Sequence, residues 1–488
     1  MDLAQYRREL KNYYAAVEKN RLEKYLGTEQ AMPRAAIEER YSDLFSPAAV
    51  SDLEKSLENV DELTETEKKA RQNLLNIARA GFLRNRAGEI TNEYESCRNS
   101  LKISFQNESL TFPEAFAKIR TEENSALRRE LYARISETQN SCADLFLEKF
   151  KILRENTEKT GFESLRKLFE ENTKIDFEVF GQKAEKFLAE TEEIYFSSLS
   201  EIFPETKSLH IADFYFRQQQ SERKEIFAGK RLKGFYHLLL ENFGFRAEKI
   251  SNLRLLEASA EKQTSIFRPA FPASEVFFAL SARGGSTAFI EFLKAFGRAQ
   301  QAAWTSADLA NRFPEFVFSP DAVAGEAYGF LFQTLLADEG FLRRNFGLWN
   351  EKLTGKIAAE NKFRLFFEIR RDVLSFLFEL KFHTSSADSE IAREFAAVFS
   401  QSQGFEISES DVLLRLSEDF ASLKRLRALL FAFGLREYLR ARYDFDWWSR
   451  RAAFEELIDF WNTAERYKAE EMARMIGFEM SFDLMKEI

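Results

Sequence analysis

Apolar side chains recur three and four residues apart along most of this chain, the period of helices that bury one face. In the stretch NSALRRELYARI, from Asn124 to Ile135, Leu127, Leu131 and Ile135 fall four apart on one side. A second helix is predicted from Ser141 to Thr160, carrying Phe146, Phe150 and Leu153, with Gly161 placed to stop it. The longest stripe opens at a weak capping box, Ser408 to Asp411, and runs through Leu413, Leu416, Phe420, Leu423, Leu426, Leu430 and Phe433. Its spacings of 3, 4, 3, 3, 4 and 3 predict one continuous buried face. The tail beyond Trp447 is again helical in pattern and ends in a capped turn around Gly477.

One segment leaves this period. Residues 274 to 283, SEVFFALSAR, hold a short apolar run with proline before and Gly284-Gly285 after, which is the signal of a strand. Between residues 200 and 275 the helices are expected to be shorter, broken near Pro204 and again at Pro269 and Pro272. No fixed-period repeat is present, which argues against a solenoid. The expected fold is all-α in class, predominantly helical, with a small sheet near residues 275-283. Two lobes are expected within one compact unit, residues 1-200 and residues 201-488.

Composition narrows the function classes. Only 8 prolines occur, none after Pro320, and a proline costs about 3 kcal/mol inside a helix, so the C-terminal third reads as helix upon helix. Phenylalanine is over-used, with 51 copies, which is read as core filling. The formal charge of -9 is spread among interspersed acids and bases, with no basic stripe of the kind that binds nucleic acid. Apolar runs such as Ala428 to Leu435 are too short for a membrane span, and MDLAQYRREL lacks the apolar core of a signal peptide. Cys97 and Cys142 are too few for a disulfide framework and are expected as two buried thiols in a reducing cytoplasm.

Histidine is the scarcest functional residue: His210, His237 and His383 are the whole complement. No two stand at the i, i+4 spacing that would set a pair of imidazoles around a metal on one helical face. No cysteine pair has zinc-ligand spacing, and neither a Gly-x-Ser-x-Gly elbow nor a phosphate-cradling loop occurs.

Residues 267 to 336 nevertheless carry a specific likeness. FRPAFPASEVFFALSARGGSTAFIEFLKAFGRAQQAAW followed by FPEFVFSPDAVAGEAYGFLFQTLL resembles the core of the thimet oligopeptidase and oligoendopeptidase F family of zinc metallopeptidases. The resemblance implies a strand ending in Arg-Gly-Gly, a helix bearing two histidines and a glutamate, and a second helix supplying a glutamate as third zinc ligand. Arg283, Gly284 and Gly285 match the approach; Phe292, Leu293, Gly297 and Ala299 match the spacers; GEAYGFLFQ, with Glu326, matches the second helix. Weaker likeness extends to TGFESLRKLFEEN and to the tail from Leu435.

The chemistry departs from the family. Its two histidines and glutamate are replaced by Lys294, Arg298 and Ala295 respectively, and only Glu326 remains. Ammonium and guanidinium groups offer a metal no lone pair, and alanine cannot take a proton from a metal-bound water. The sequence is therefore read as a degenerate member that has lost zinc and proteolysis, with no cofactor, the 201-488 lobe being peptidase-like. Peptide or protein binding is expected to persist along the strand ending at Arg283, Gly284 and Gly285, whose exposed edge would pair with an extended peptide. An ion pair between Glu326 and Arg298, or Lys294, is expected to stand in for the metal. The alternatives are an active zinc peptidase in which His210, His237 or His383 converges on Glu326, and a helical scaffold that binds a protein through its outer surface.

Overall fold

The computed structural model describes residues 2–27, 32–58, 63–204, 209–218, 225–257, 265–280, 284–384 and 388–486. They are overwhelmingly helical, with one hairpin, β1 (Ile103–Phe105) and β2 (Glu108–Leu110), and one three-stranded sheet, β3 (Leu253–Glu257), β4 (Ile266–Phe271) and β5 (Glu275–Leu280). Among the described residues no helix is long and apolar enough to cross a membrane.

The chain forms two compact units that alternate along the sequence instead of dividing near residue 200. The first comprises Met1–Phe82, Arg223–Asn361 and Arg427–Glu487; the second comprises Leu83–Glu222 and Lys362–Leu426.

In the first unit, β5 is the middle strand, parallel to β3 and antiparallel to β4. The strand expected near 275–283 is thus present over Glu275–Leu280, and residues 281–283 lie outside the described residues. Two prolines had marked its neighbour β4 as a break, yet Pro269 lies within that strand. An edge strand tolerates a residue with no N–H to donate, and the register shifts between Pro269 and Phe271. Helix α1 (Leu3–Leu26) packs on β4, with Lys19 2.7 Å from Glu275 and the Lys11 ammonium 4.0 Å from the Phe271 ring centre. After β5 the chain enters α2 (Ser286–Trp304), which crosses α3 (Val323–Gln333). A ring cluster built from Phe227, Phe235, Phe289, Phe292, Phe341 and Phe346 gives part of the phenylalanine excess its place in the core.

In the second unit the helices read from Asn124 to Ile135 and from Ser141 to Thr160 are present as Ser125–Asn140 and Ala143–Thr157, Asn124 capping the first and Gly161 taking a left-handed φ of 86° beyond the second. The long stripe from Ser408 is a correction: it is two helices, not one. The capping box of Ser408 and Asp411 opens a short helix, Glu409–Leu413, and a second helix starts only at Ala421. Between them Phe420 adopts a φ of +49°, which turns the chain while still burying the ring against Phe169 and Phe177. The buried carboxyl of Glu379 fixes that turn, accepting from the Ser417 amide at 3.0 Å and from the Ser422 hydroxyl. A spacing pattern reports which residues are buried, and a turn that keeps the same residues buried leaves it unchanged.

The two cysteines also require correction. Cys97 and Cys142 form a disulfide with Cα atoms 6.2 Å apart, and of the two only Cys142 is buried. The helices Gly88–Ser100 and Ala143–Thr157 pack together and bring the pair within bonding distance, although 45 residues separate them in sequence.

Candidate functional site

Helix α2 is apolar and buried nearly all round. Its partly exposed positions include Thr287, Glu291, Lys294, Arg298 and Gln301, which recur every three or four residues and so form one polar stripe. Helix α3 is buried at every residue except Glu326. These two polar openings face each other because the helices approach very closely. A Cβ on Gly297 would stand 2.3 Å from the Tyr328 carbonyl oxygen, and one on Gly329 would stand 2.9 Å from that of Lys294. Glycine at both places removes the side chain that would hold the backbones apart.

Two contacts result, one helical turn apart. The Arg298 guanidinium meets the Glu326 carboxylate, Nη1 to Oε1, at 2.8 Å. The Lys294 ammonium lies 5.1 Å from the centre of the Phe330 ring. The Arg298 stem passes Gly329, where a Cβ would come within 3.3 Å of its Cγ. From the sheet, Phe267 of β4 covers the guanidinium at 4.7 Å. Ala295, on the same helix, is 7% exposed and contributes no polar atom.

Below this pair a buried carboxyl organises α3. Glu465 accepts hydrogen bonds from the backbone amides of Gly325 at 2.8 Å and Ala324 at 3.2 Å, and from Gln301 Nε2 at 3.3 Å. It thereby satisfies N–H groups that the first turn of a helix leaves open. Burial pushes the Glu465 carboxyl up to about 7, opposed by those same hydrogen bonds. Nearby, Arg427 is fully buried between Asp321 at 2.6 Å and Glu470 at 2.7 Å, and the two carboxylates hold its pKa above the ordinary arginine value against the opposing effect of burial. Glu465 has no local sequence signal, because it reaches the site from 140 residues downstream of Gly325.

The residues expected along the strand are placed differently. Arg283 lies outside the described residues. Gly284 is pressed to backbone, since a Cβ there would come 2.4 Å from the Phe227 carbonyl oxygen, and the Gly285 amide donates to that oxygen at 2.8 Å. Gly285 then caps α2 with a φ of 106°. The glycine pair therefore turns the chain against its own backbone. Nor does β5 offer an edge: both of its sides are paired, and the outer strands of this sheet are β3 and β4. The expectation of a free edge on β5 is corrected on that ground.

The histidines do not assemble a metal site. His237 stands on the helix Leu232–Asn242 with its ring against Tyr236. His210 belongs to the second unit, where its Nδ1 accepts from the Ala212 amide at 3.1 Å. His383, in the same unit, is enclosed by Phe150, Phe382 and Phe420, and burial lowers its pKa to about 3. Among the described residues no group of three or more His, Cys, Asp or Glu side chains is placed to hold a metal. At this face the carboxylates are Glu291 and Glu326, and that of Glu326 is engaged by Arg298. This donor set does not fit a catalytic zinc, which takes three protein ligands.

The overall helical fold matches that of helical zinc metallopeptidases of known structure. Solved structures carry the same fold at low sequence identity. A structure assigned to oligoendopeptidase F superposes with a TM-score of 0.67 at 13% identity, covering 99% of this chain and 94% of the other. PZ peptidase A with an inhibitor gives 0.64 at 13% identity, over 93% and 88%. The M32 carboxypeptidase from Deinococcus radiodurans R1 gives 0.61 at 12% identity, over 99% and 96%. No protein-family model matches the sequence, and no curated protein matches it significantly.

Proposed function

We propose that this chain is a pseudopeptidase: a protein with the zinc-peptidase fold that holds a peptide or protein segment at the α2–α3 face without hydrolysing it. The observation that carries this reading is the Arg298–Glu326 pair at 2.8 Å, in which a guanidinium supplies the positive charge that a carboxylate in that place needs. Ala295 leaves no general base beside it, and Lys294 offers three donors and no lone pair. A peptidase of this class needs a polarised water and a group to take its proton, and these side chains provide neither. What they retain is a half-exposed polar stripe with aromatic rings, the surface type that binds a chain segment by charge and apolar contact.

The test combines elemental analysis of the purified protein with a quenched-peptide library, each run with and without a chelator, and calorimetric titration of mixed oligopeptides. Binding heat without cleavage and without stoichiometric zinc supports the proposal. One zinc per chain, or chelator-sensitive cleavage, overturns it.

A further inference from the structure

In the second unit, helix Gly88–Ser100 is 13 residues long and buries none of its side chains. Its sequence, GEITNEYESCRNS, is rich in Gly, Thr, Asn and Ser, which favour helix weakly, and Ala87 at its N-cap makes no side-chain hydrogen bond. An isolated helix of this length is marginal in water, so it depends on what it packs against. Its half-buried positions include Ile90, Tyr94 and Cys97, which follow the i, i+4, i+7 spacing of one face, and it lies on helix Ala143–Thr157. There the Tyr94 ring centre is 5.3 Å from that of Phe146, and Cys97 is bonded to Cys142. Near its end the Arg98 guanidinium lies 5.8 Å from the centre of the Phe112 ring. The chain on either side is anchored separately, with Ala87 1% exposed and Ile103 fully buried. One covalent bond and two ring contacts thus hold a helix that has no buried side chain of its own.

We infer that the Cys97–Cys142 bond is a redox latch: a dithiol reductant opens it in the folded chain, and helix Gly88–Ser100 then comes away from helix Ala143–Thr157 between its anchored ends. The latch lies wholly in the second unit and does not depend on peptide binding at the α2–α3 face. The two sulfurs differ in access, Cys142 being buried and Cys97 half-buried on the outer helix. A thiolate of the reductant therefore attacks Sγ of Cys97, the S–S bond breaks, and the Cys142 sulfur leaves as a thiolate that takes up a proton. The second thiol of the reductant then displaces the Cys97 sulfur from the mixed disulfide, and that sulfur is protonated in turn. Two electrons and two protons pass to the chain, which keeps two thiols, and the reductant carries away the disulfide. With the bond open, only the ring contacts of Tyr94 and Arg98 remain, and a short helix that buries no side chain does not persist on these. Its departure uncovers the side of Phe146 that Tyr94 covers, an apolar surface presented by the reduced chain alone.

The test is hydrogen exchange read by mass spectrometry on the full chain, at neutral pH without denaturant, before and after treatment with dithiothreitol. Amides of 88–100 are expected to exchange about tenfold faster after reduction, as in an element that opens locally, while those of 125–140 and 143–157 change little. Reoxidation with diamide should restore the slow exchange. The double variant Cys97→Ser, Cys142→Ser should exchange at 88–100 as the reduced parent does and ignore dithiothreitol; if it does not fold, the parent before and after reduction carries the same comparison. A bond that dithiothreitol reduces only in denaturant overturns the latch. So does slow exchange at 88–100 in the reduced chain, which would show that the ring contacts suffice. Equal acceleration across the whole second unit would make the bond a general brace and overturn local release. Fast exchange that diamide does not reverse would make the opening one-way and overturn a switch.

Discussion

Arg298 and Glu326 are joined at 2.8 Å across two helices whose backbones nearly touch, with the arginine side chain 38% exposed and the glutamate 26% exposed. Their position on facing helices makes the pair a positioning contact as much as an energetic one. Exposed pairs contribute little because water and salt screen them.

Breaking the pair should therefore cost modestly. Arg298→Ala and Glu326→Gln, singly and together, are expected to give a coupling free energy of about 0.5–1 kcal/mol in a double-mutant cycle read by urea unfolding. A coupling near zero would show that the two charges are satisfied independently by solvent.

The reverse substitution addresses the metal. Lys294→His, Ala295→Glu and Arg298→His together give α2 two imidazoles at i, i+4 and a carboxylate between, opposite Glu326. This triple variant is expected to take up zinc measurably by elemental analysis while the unaltered chain does not. Its cleavage of a quenched peptide should stay weak, since ligand-orienting partners were not restored with it. Failure to bind zinc would mean that the two helices do not present these positions to one point.

Glu465 gives a pH signature. Its folded pKa is raised to about 7 from an ordinary 4.5, so its contribution to stability is fully present below about 4.5 and is lost as pH rises through about 7. Glu465→Gln keeps an oxygen acceptor for the Ala324 and Gly325 amides and cannot ionise. The variant should lose less stability than the parent between pH 5 and about 8 in thermal melts at stepped pH. Parallel curves would show that Glu465 does not titrate in this range.

His383 gives the opposite sign in the second unit. Its folded pKa is depressed to about 3 from 6.5, so its contribution to stability is present above about 6.5 and is lost as pH falls toward 3. The imidazole has both nitrogens buried without partners, and the Arg154 charge adds to the effect of burial. His383→Phe, into a cage already lined by Phe150, Phe382 and Phe420, should flatten the acid side of the profile. Hydrogen exchange across the second unit at pH 4 and pH 7 measures this directly. An unchanged acid profile would place the transition elsewhere.

The disulfide is checked by counting thiols. The denatured, unreduced chain should show none, and two after reduction. Closing a loop of this length restricts the unfolded chain by about 4 kcal/mol on the chain-entropy model, so reduction should lower the urea midpoint of the second unit. A persistent bond here favours an oxidising compartment over the reducing cytoplasm expected from isolated thiols. Two free thiols before reduction would contradict the bond.

Much of the fold was legible because helices bury periodic faces: the helices at 125–140 and 143–157 and the strand at 275–280 follow from local spacing and punctuation. The stripe from Leu413 to Phe433 misled, because spacing does not register that Phe420 adopts a positive φ. Strand β4 escaped because Pro269 reads as a breaker unless the strand is known to be an edge. At the site, i, i+4 spacing placed Lys294 and Arg298 on one helical face, while a pair between Glu326 and Arg298, or Lys294, followed only from the family resemblance; the structure has the arginine pair. Glu465 was invisible to it, and Phe267 stood in the quoted run without a role. Each reaches the site from another element, and no local pattern marks a side chain whose partner lies far along the chain.

By itself, then, the sequence determined the helical class, and that lysine and arginine, not imidazoles, stand at positions 294 and 298 and alanine, not a carboxylate, at 295. These are properties of residue identity and local period, which folding does not alter. Only the tertiary structure decided that Gly297 and Gly329 let two helices close to backbone contact, that β5 is a middle strand with no free edge, and that Cys97 meets Cys142. Those outcomes depend on which distant segments share the same space, and it is the packing of the whole unit, summed over many weak contacts, that sets them.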